Sequence, residues 1–188
     1  MSLIGHNNGP TMEPGYSWRK HSWTKARSDL LPKLPIEVIR VRVKRAQELG
    51  LDYKSYASVR ASTGRDVIGF LFSSNALRLI KSNACLPENR REKLSDLKYC
   101  SRIAVVHAPL DAQVIVEQNA VLDAATIAPK FTSGWSDTRA SITKAVRLAD
   151  ASSDGIILIG DTDLEREWSK AGRLAGYITA DTYFGEHP

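Results

Sequence analysis

The stretch IILIGDTDLEREWSKAGRLAGYI, residues 156–178, decides the fold. Its first five residues form a continuous apolar run with the length of a buried strand, far below the roughly 18 residues of a membrane span. Asp161-Thr162-Asp163 breaks the run. Residues 164–176 then carry a helical pattern, and Tyr177-Ile178 begins a last short strand. The same alternation repeats upstream. VIGFLF (67–72) and RIAVVH (102–107) are apolar runs, and residues 87–97, 111–122 and 136–149 read as amphipathic helices, the last capped by Ser136 or Asp137. Short apolar strands separated by helices build βαβ units. The expected fold class is therefore α/β: a small parallel, or mostly parallel, sheet of three to four strands with crossover helices, preceded by a basic helical N-terminal region.

Three parts are expected along the chain. Residues 1–16, rich in Gly, Asn and Pro, form an extended or flexible tail. Residues 17–64 form the basic helical region, and 65–188 the α/β domain; 17–188 can pack as a single unit. Within the basic region, a short helix over 17–31 is ended by Pro32. Residues 36–49 admit two readings. Ile39-Arg40-Val41-Arg42-Val43-Lys44 alternates as a half-buried strand would, but Pro35, Glu37 and Gly50 are start and stop signals of a helix, which is the preferred reading. Tyr53–Ser62 reads as another helix, closed by Gly64.

The net charge of +5 conceals a division. Residues 17–65 hold 12 Lys/Arg against 4 Asp/Glu, whereas residues 101–188 hold 8 against 12. Such a split favours an anionic partner or, less specifically, a neighbouring copy of the chain whose acidic half meets the basic one. Candidate phosphate contacts are Arg40, Arg42, Lys44, Arg45, Lys54 and Arg60, with Trp18, Trp23, Tyr53 and Tyr56 able to stack on bases. Residues 42–61 also fit a helix-turn-helix: Ala46, Leu49, Gly50, Leu51 and Val59 fall at suitable spacings, and the second helix would present Lys54, Ser55, Ser58 and Arg60. Arg45 stands where that motif usually has an apolar residue, and Tyr56 is large for its place. Two consecutive surface helices with a glycine stop account for the same residues.

In open parallel sheets, ligands bind beyond the carboxyl ends of the strands. Those ends carry Ser73-Ser74-Asn75, His107 and Asp161-Thr162-Asp163. Ser73, His107 and Asp161 are the catalytic candidates, as nucleophile, base and orienting group. Ser74, Asn75, Thr162 and Asp163 are the ligand-binding candidates. No cofactor motif is present, neither a P-loop nor GxGxxG, but Asp161 and Asp163 could hold a divalent metal. Ordinary helix capping would explain the same polar residues. Neither serine lies in a GxSxG elbow.

Residues 157–178 resemble the last motif of the haloacid-dehalogenase-like phosphatases. In that family a strand ends in Gly-Asp before a helix leading to Ala-Gly, matched by Gly160, Asp161, Ala175 and Gly176. The resemblance implies that Asp161 would help bind magnesium. The family's first motif, an apolar strand ending in Asp-x-Asp, has no counterpart, because VIGFLF runs into Ser73-Ser74-Asn75. Without the nucleophilic aspartate that chemistry is lost, and the chain is not assigned to the family.

No membrane span and no secretory leader are evident. Cys85 and Cys100 form no CxxC pair, which points to reduced thiols and a cytoplasmic location. The leading expectation is a nucleic-acid-associated binding protein, with the α/β body as scaffold or effector pocket. The alternatives are an enzyme acting on a small anionic or phosphorylated substrate at the sheet edge, and a homo-oligomeric structural or adaptor protein.

Overall fold

The computed structural model describes residues 34–79 and 85–185. The tail expected over 1–16 and the helix expected over 17–31, with Trp18, Trp23 and His21, lie outside the described residues. The chain divides into two units, Met1–Ile39 and Arg40–Pro188. In the first, the described residues open helix α1 (Ile36–Glu48), with the Ile39 N–H donating to the Pro35 carbonyl at 3.1 Å.

The stretch with two readings is helical. Ala46 and Leu49 are buried while Arg40, Val41, Lys44 and Gln47 are exposed, a spacing of three to four that only a helix produces. The helix stops at Gly50, whose φ of 62° puts it in the left-handed region. Its N–H donates to Gln47 O, and the Leu51 N–H reaches back to Ala46 O at 2.9 Å, which closes a Schellman turn. Asp52 then caps α2 (Tyr53–Thr63) by accepting the Ser55 N–H at 2.9 Å.

The sheet has five strands: β1 (Gly69–Ser73), β2 (Ser101–Val106), β3 (Ala124–Ile127), β4 (Ile156–Gly160) and β5 (Gly176–Thr179). Their order is β3-β2-β1-β4-β5 and every pairing is parallel. Helices α3 (Glu88–Ser95), α4 (Ala112–Gln118), α5 (Trp135–Leu148) and α6 (Asp163–Ala171) lie between the strands, and α7 (Ala180–Phe184) follows β5. The α/β class with a parallel sheet and crossover helices is thus as expected, with one strand more. The additional strand, AATI at 124–127, is a margin strand with two half-buried alanines, a buried threonine and an exposed isoleucine, so no apolar run announces it.

Side chains alternate across the sheet and define two cores. Phe70, Phe72, Ala104, Ile157 and Ile159 point to one face, where Ala46, Leu49, Tyr56 and Ile115 pack on them. Leu71, Ile103, Val105 and Leu158 point to the other, beneath Ile142, Ala145 and Trp168. β1 is central, with β2 and β3 on one side and β4 and β5 on the other. The chain therefore reverses direction between β1 and β4, which opens a crevice at their carboxyl ends. No described helix is long and apolar enough to cross a membrane.

Candidate functional site

The crevice gathers side chains from three strand ends. Ser73, fully buried, accepts the Ala76 N–H at 3.0 Å and so caps the turn after β1. Ser74 is the serine that meets the histidine. Its Oγ lies 2.8 Å from His107 Nδ1 and accepts the His107 backbone N–H at 3.1 Å. The direction of the Oγ–Nδ1 bond follows the imidazole tautomer: the hydroxyl donates to a bare Nδ1 and accepts from a protonated one. His107 Nε2 faces Glu165 Oε1 across 3.6 Å, too far for a hydrogen bond.

Glu165 sits at the centre of the arrangement and is completely buried. Its Oε1 accepts from Asn75 Nδ2 at 2.9 Å, and its Oε2 accepts the amides of Asp161 at 2.6 Å and Thr162 at 3.1 Å. Thr162 Oγ1 accepts the Glu165 N–H in return, which completes a capping box at the start of α6. Gly160 makes room for this carboxylate, since a Cβ there would come within 3.0 Å of both Glu165 and Tyr177. One side chain thus fastens the segments after β1 and β4 and faces the imidazole after β2. Burial lowers the His107 pKa, and the Glu165 carboxylate only partly opposes the shift. Trp168 covers the imidazole with ring centroids 5.1 Å apart. Tyr177 donates to Thr162 O, and burial pushes its hydroxyl up to about 12.

At the rim, Arg78 holds Asp161 at 2.5 Å and Asp181 at 3.5 Å. Thr162 and Asp163 are exposed, with Asp163 3.4 Å from Arg166. Of the catalytic candidates, Ser73 is turned into a backbone cap, Asp161 is bound to an arginine rather than to the histidine, and only His107 stands in the crevice. Ser74 replaces Ser73 in a hydroxyl–imidazole–carboxylate chain, but at 1% exposure it is sealed from an incoming acyl or phosphoryl group. Carboxylates outnumber guanidinium groups here, a field that repels a bare anion. Among the described residues, no group of three or more His, Cys, Asp or Glu is placed to hold a metal ion.

The six basic candidates divide sharply. All five N–H groups of Arg45 are engaged: by Asp66 and Glu48 side chains and by the carbonyls of Val67, Lys98 and Tyr99. Arg60 lies 3.5 Å from Asp66, which also accepts the Tyr56 hydroxyl at 2.7 Å. The large Tyr56 and the charged Arg45, both awkward for a helix-turn-helix, are therefore the residues that lock α1 and α2 to the sheet. Arg40, Arg42, Lys44 and Lys54 have no hydrogen-bond or ion-pair partner among the described residues. Lys54, Ser55 and Ser58 border a cleft of about 430 Å³ with Tyr177 and Ile178 of β5.

Glu165 and Arg78 were not foreseen from the sequence. The spacing Thr162-x-x-Glu165 is the capping-box signature and was the available signal for the first; the reach of Arg78 across to Asp161 had none. Comparison with known proteins identifies no relative: no family model matches the chain, and no curated protein or solved structure matches it significantly.

Proposed function

We propose that the protein binds nucleic acid through the phosphate backbone, with Arg40, Arg42, Lys44 and Lys54 as the contacting cations and the α/β body as their scaffold. The observation that carries this reading is that these four cations have no partner among the described residues, in a chain whose positive charge is concentrated around them. Arg40 and Lys44 are one helical turn apart and share a face of α1, and both are exposed. Four phosphate contacts on duplex DNA correspond to a salt slope of roughly −3.6 and a loss of about a hundredfold in affinity between about 50 and 200 mM salt. Arg45 and Arg60 act as positioning residues that hold the two helices. Fluorescence anisotropy with labelled single- and double-stranded DNA and RNA tests the reading. Binding at about 50 mM salt that weakens with this slope supports it, and no binding to any of them at that salt removes it.

One observation favours a second reading at the sheet edge: Nε2 of the partly exposed His107 imidazole has no hydrogen-bond partner among the described residues. When protonated it is suited to donate to an acceptor oxygen of a small ligand, and a phosphorylated one would have to overcome the surrounding carboxylates. Titration with inorganic phosphate, followed at the His107 ring nitrogens by NMR, decides it. Unchanged shifts up to about 10 mM, the weak end of specific binding, exclude that ligand.

A further inference from the structure

Three aromatic side chains are exposed among the described residues: Phe131 at 85%, Tyr99 at 83% and Trp135 at 56%. Phe131 and Trp135 follow β3, at the carboxyl edge of the sheet. Tyr99 comes just before β2, at the amino edge, and this is where α1 reaches the sheet. There the Arg45 guanidinium donates to the carbonyls of Val67, Lys98 and Tyr99, each at 3.0 Å. The Lys98 N–H in turn donates to Glu48 O at 2.9 Å. The Lys98-Tyr99 turn is thus fastened to the last turn of α1 from both sides of the contact.

Tyr99 is held in a conformation that tyrosine rarely adopts. Its φ is 54°, in the left-handed region, where a bulky side chain is an outlier. Such a backbone persists where its surroundings over-determine it, and here Arg45 binds both the Tyr99 carbonyl and the one before it. The ring returns little to the fold. Exposed as it is, it has no ring contact, and its hydroxyl no hydrogen bond, among the described residues. Lys98 beside it is exposed and has no ion-pair partner among the described residues. Arg42 stands one turn before Arg45 on the same side of α1.

We infer that Tyr99 is a stacking platform for an unpaired base, so that the nucleic acid bound here is single-stranded rather than fully paired. The inference rests on the phosphate contacts proposed for α1 and α2 and names the class of strand they take. A tyrosine ring offers a flat face to any base, whatever the sequence. In a duplex the base faces are already stacked on one another, so a ring carried on a surface turn reaches one only where the strand is unpaired. The cations on either side of the ring, Arg42 and Lys98, take the phosphates that flank the stacked base. Because Arg45 holds the turn, the ring has little freedom left to lose on binding. Arg45 itself carries no phosphate; it couples the ring to the cationic helix.

Fluorescence anisotropy of the full chain at about 50 mM salt, with a labelled single strand of about 12 nucleotides and the duplex of the same sequence, tests the inference. The unsubstituted chain should bind the single strand more tightly. Tyr99→Ala should lower single-strand affinity by about 5- to 150-fold, the loss of one stacked base, with the salt slope unchanged and duplex affinity within about twofold. Tyr99→Phe should keep the affinity, and Tyr99→Leu, which retains bulk without a ring, should lose it as Tyr99→Ala does. The position is exposed, and far-UV circular dichroism matching the unsubstituted chain shows that each variant folds. Unchanged single-strand affinity in Tyr99→Ala or Tyr99→Leu overturns the inference and leaves the phosphate contacts standing, as does an equal loss on the duplex. No binding of any oligonucleotide by the unsubstituted chain removes the phosphate contacts and the stacking with them.

Discussion

The sheet edge around Glu165 and the exposed face of α1 and α2 are both rich in polar side chains, yet their hydrogen-bonding capacity is directed oppositely. Around Glu165 the donors and acceptors satisfy one another except at His107 Nε2: three amide-type N–H groups on one carboxylate and a serine shared between an imidazole and its own backbone amide. On the helices, the exposed Arg40, Lys44 and Lys54 and the half-buried Arg42 have no side-chain partner among the described residues, while their neighbours Arg45 and Arg60 are tied to the body. The lesson is that residue type does not distinguish a ligand site from a fastener. A buried polar group must be paired where it stands, so an internally complete network belongs to the fold, whereas charge left at the surface is available to a partner.

Substitutions on the two sides should separate these roles, and the largest effect is expected at the sheet edge. Glu165→Ala strands three buried or half-buried donors and removes a capping box, a loss of about 3–5 kcal/mol that lowers the melting temperature on the order of 10 °C. Arg45→Ala opens two carboxylates and three carbonyls and should cost about 2–4 kcal/mol. Denaturant titration measures both. Arg40→Ala, Arg42→Ala and Lys44→Ala should each change stability by no more than about 0.5 kcal/mol, yet each should reduce the salt slope of oligonucleotide binding by about 1. If Glu165→Ala were neutral and the surface substitutions unfolded the chain, the contrast would be reversed.

Acidity tests the same network. Burial holds the folded His107 pKa below its ordinary value of 6.5. The unfolded chain therefore takes up that proton first as pH falls. The stability that His107 contributes is complete above about 6.5 and is lost as pH drops through that value toward the lowered folded one. Melting curves between pH 8 and pH 5, taken as about one unit either side of the ordinary range, should show a decline that His107→Asn flattens. The smallest effect concerns the thiols. Burial pushes the Cys100 thiol up to about 11 while Cys85 is exposed, so a thiol reagent near pH 8, below the ordinary thiol value, should label Cys85 and spare Cys100.

The three central strands and their crossover helices were legible because runs such as IILIG are buried on both faces and must be continuously apolar. AATI was not, because a margin strand half open to solvent needs no such run. The strand-end rule brought Ser74, Asn75, His107 and Asp161 to one edge correctly, since topology alone carries them there. The choice between Ser73 and Ser74 was beyond it: adjacent residues point to opposite sides, and which of them faces His107 depends on the register between β1 and β2. The basic residues were legible as a group and not one by one. Nothing local in Arg42-Val43-Lys44-Arg45 reveals that the last of them reaches Asp66 and three distant carbonyls.

In the proposed function, Arg40, Arg42, Lys44 and Lys54 are the nucleic-acid contacts and the sheet edge is not. The most direct measurement is the affinity of the fourfold alanine variant at these positions for a labelled oligonucleotide, against salt and beside the unsubstituted chain. The expected result is a folded variant whose affinity at about 50 mM salt falls by at least about a hundredfold and whose salt dependence is nearly flat. An affinity and slope equal to those of the unsubstituted chain would contradict it.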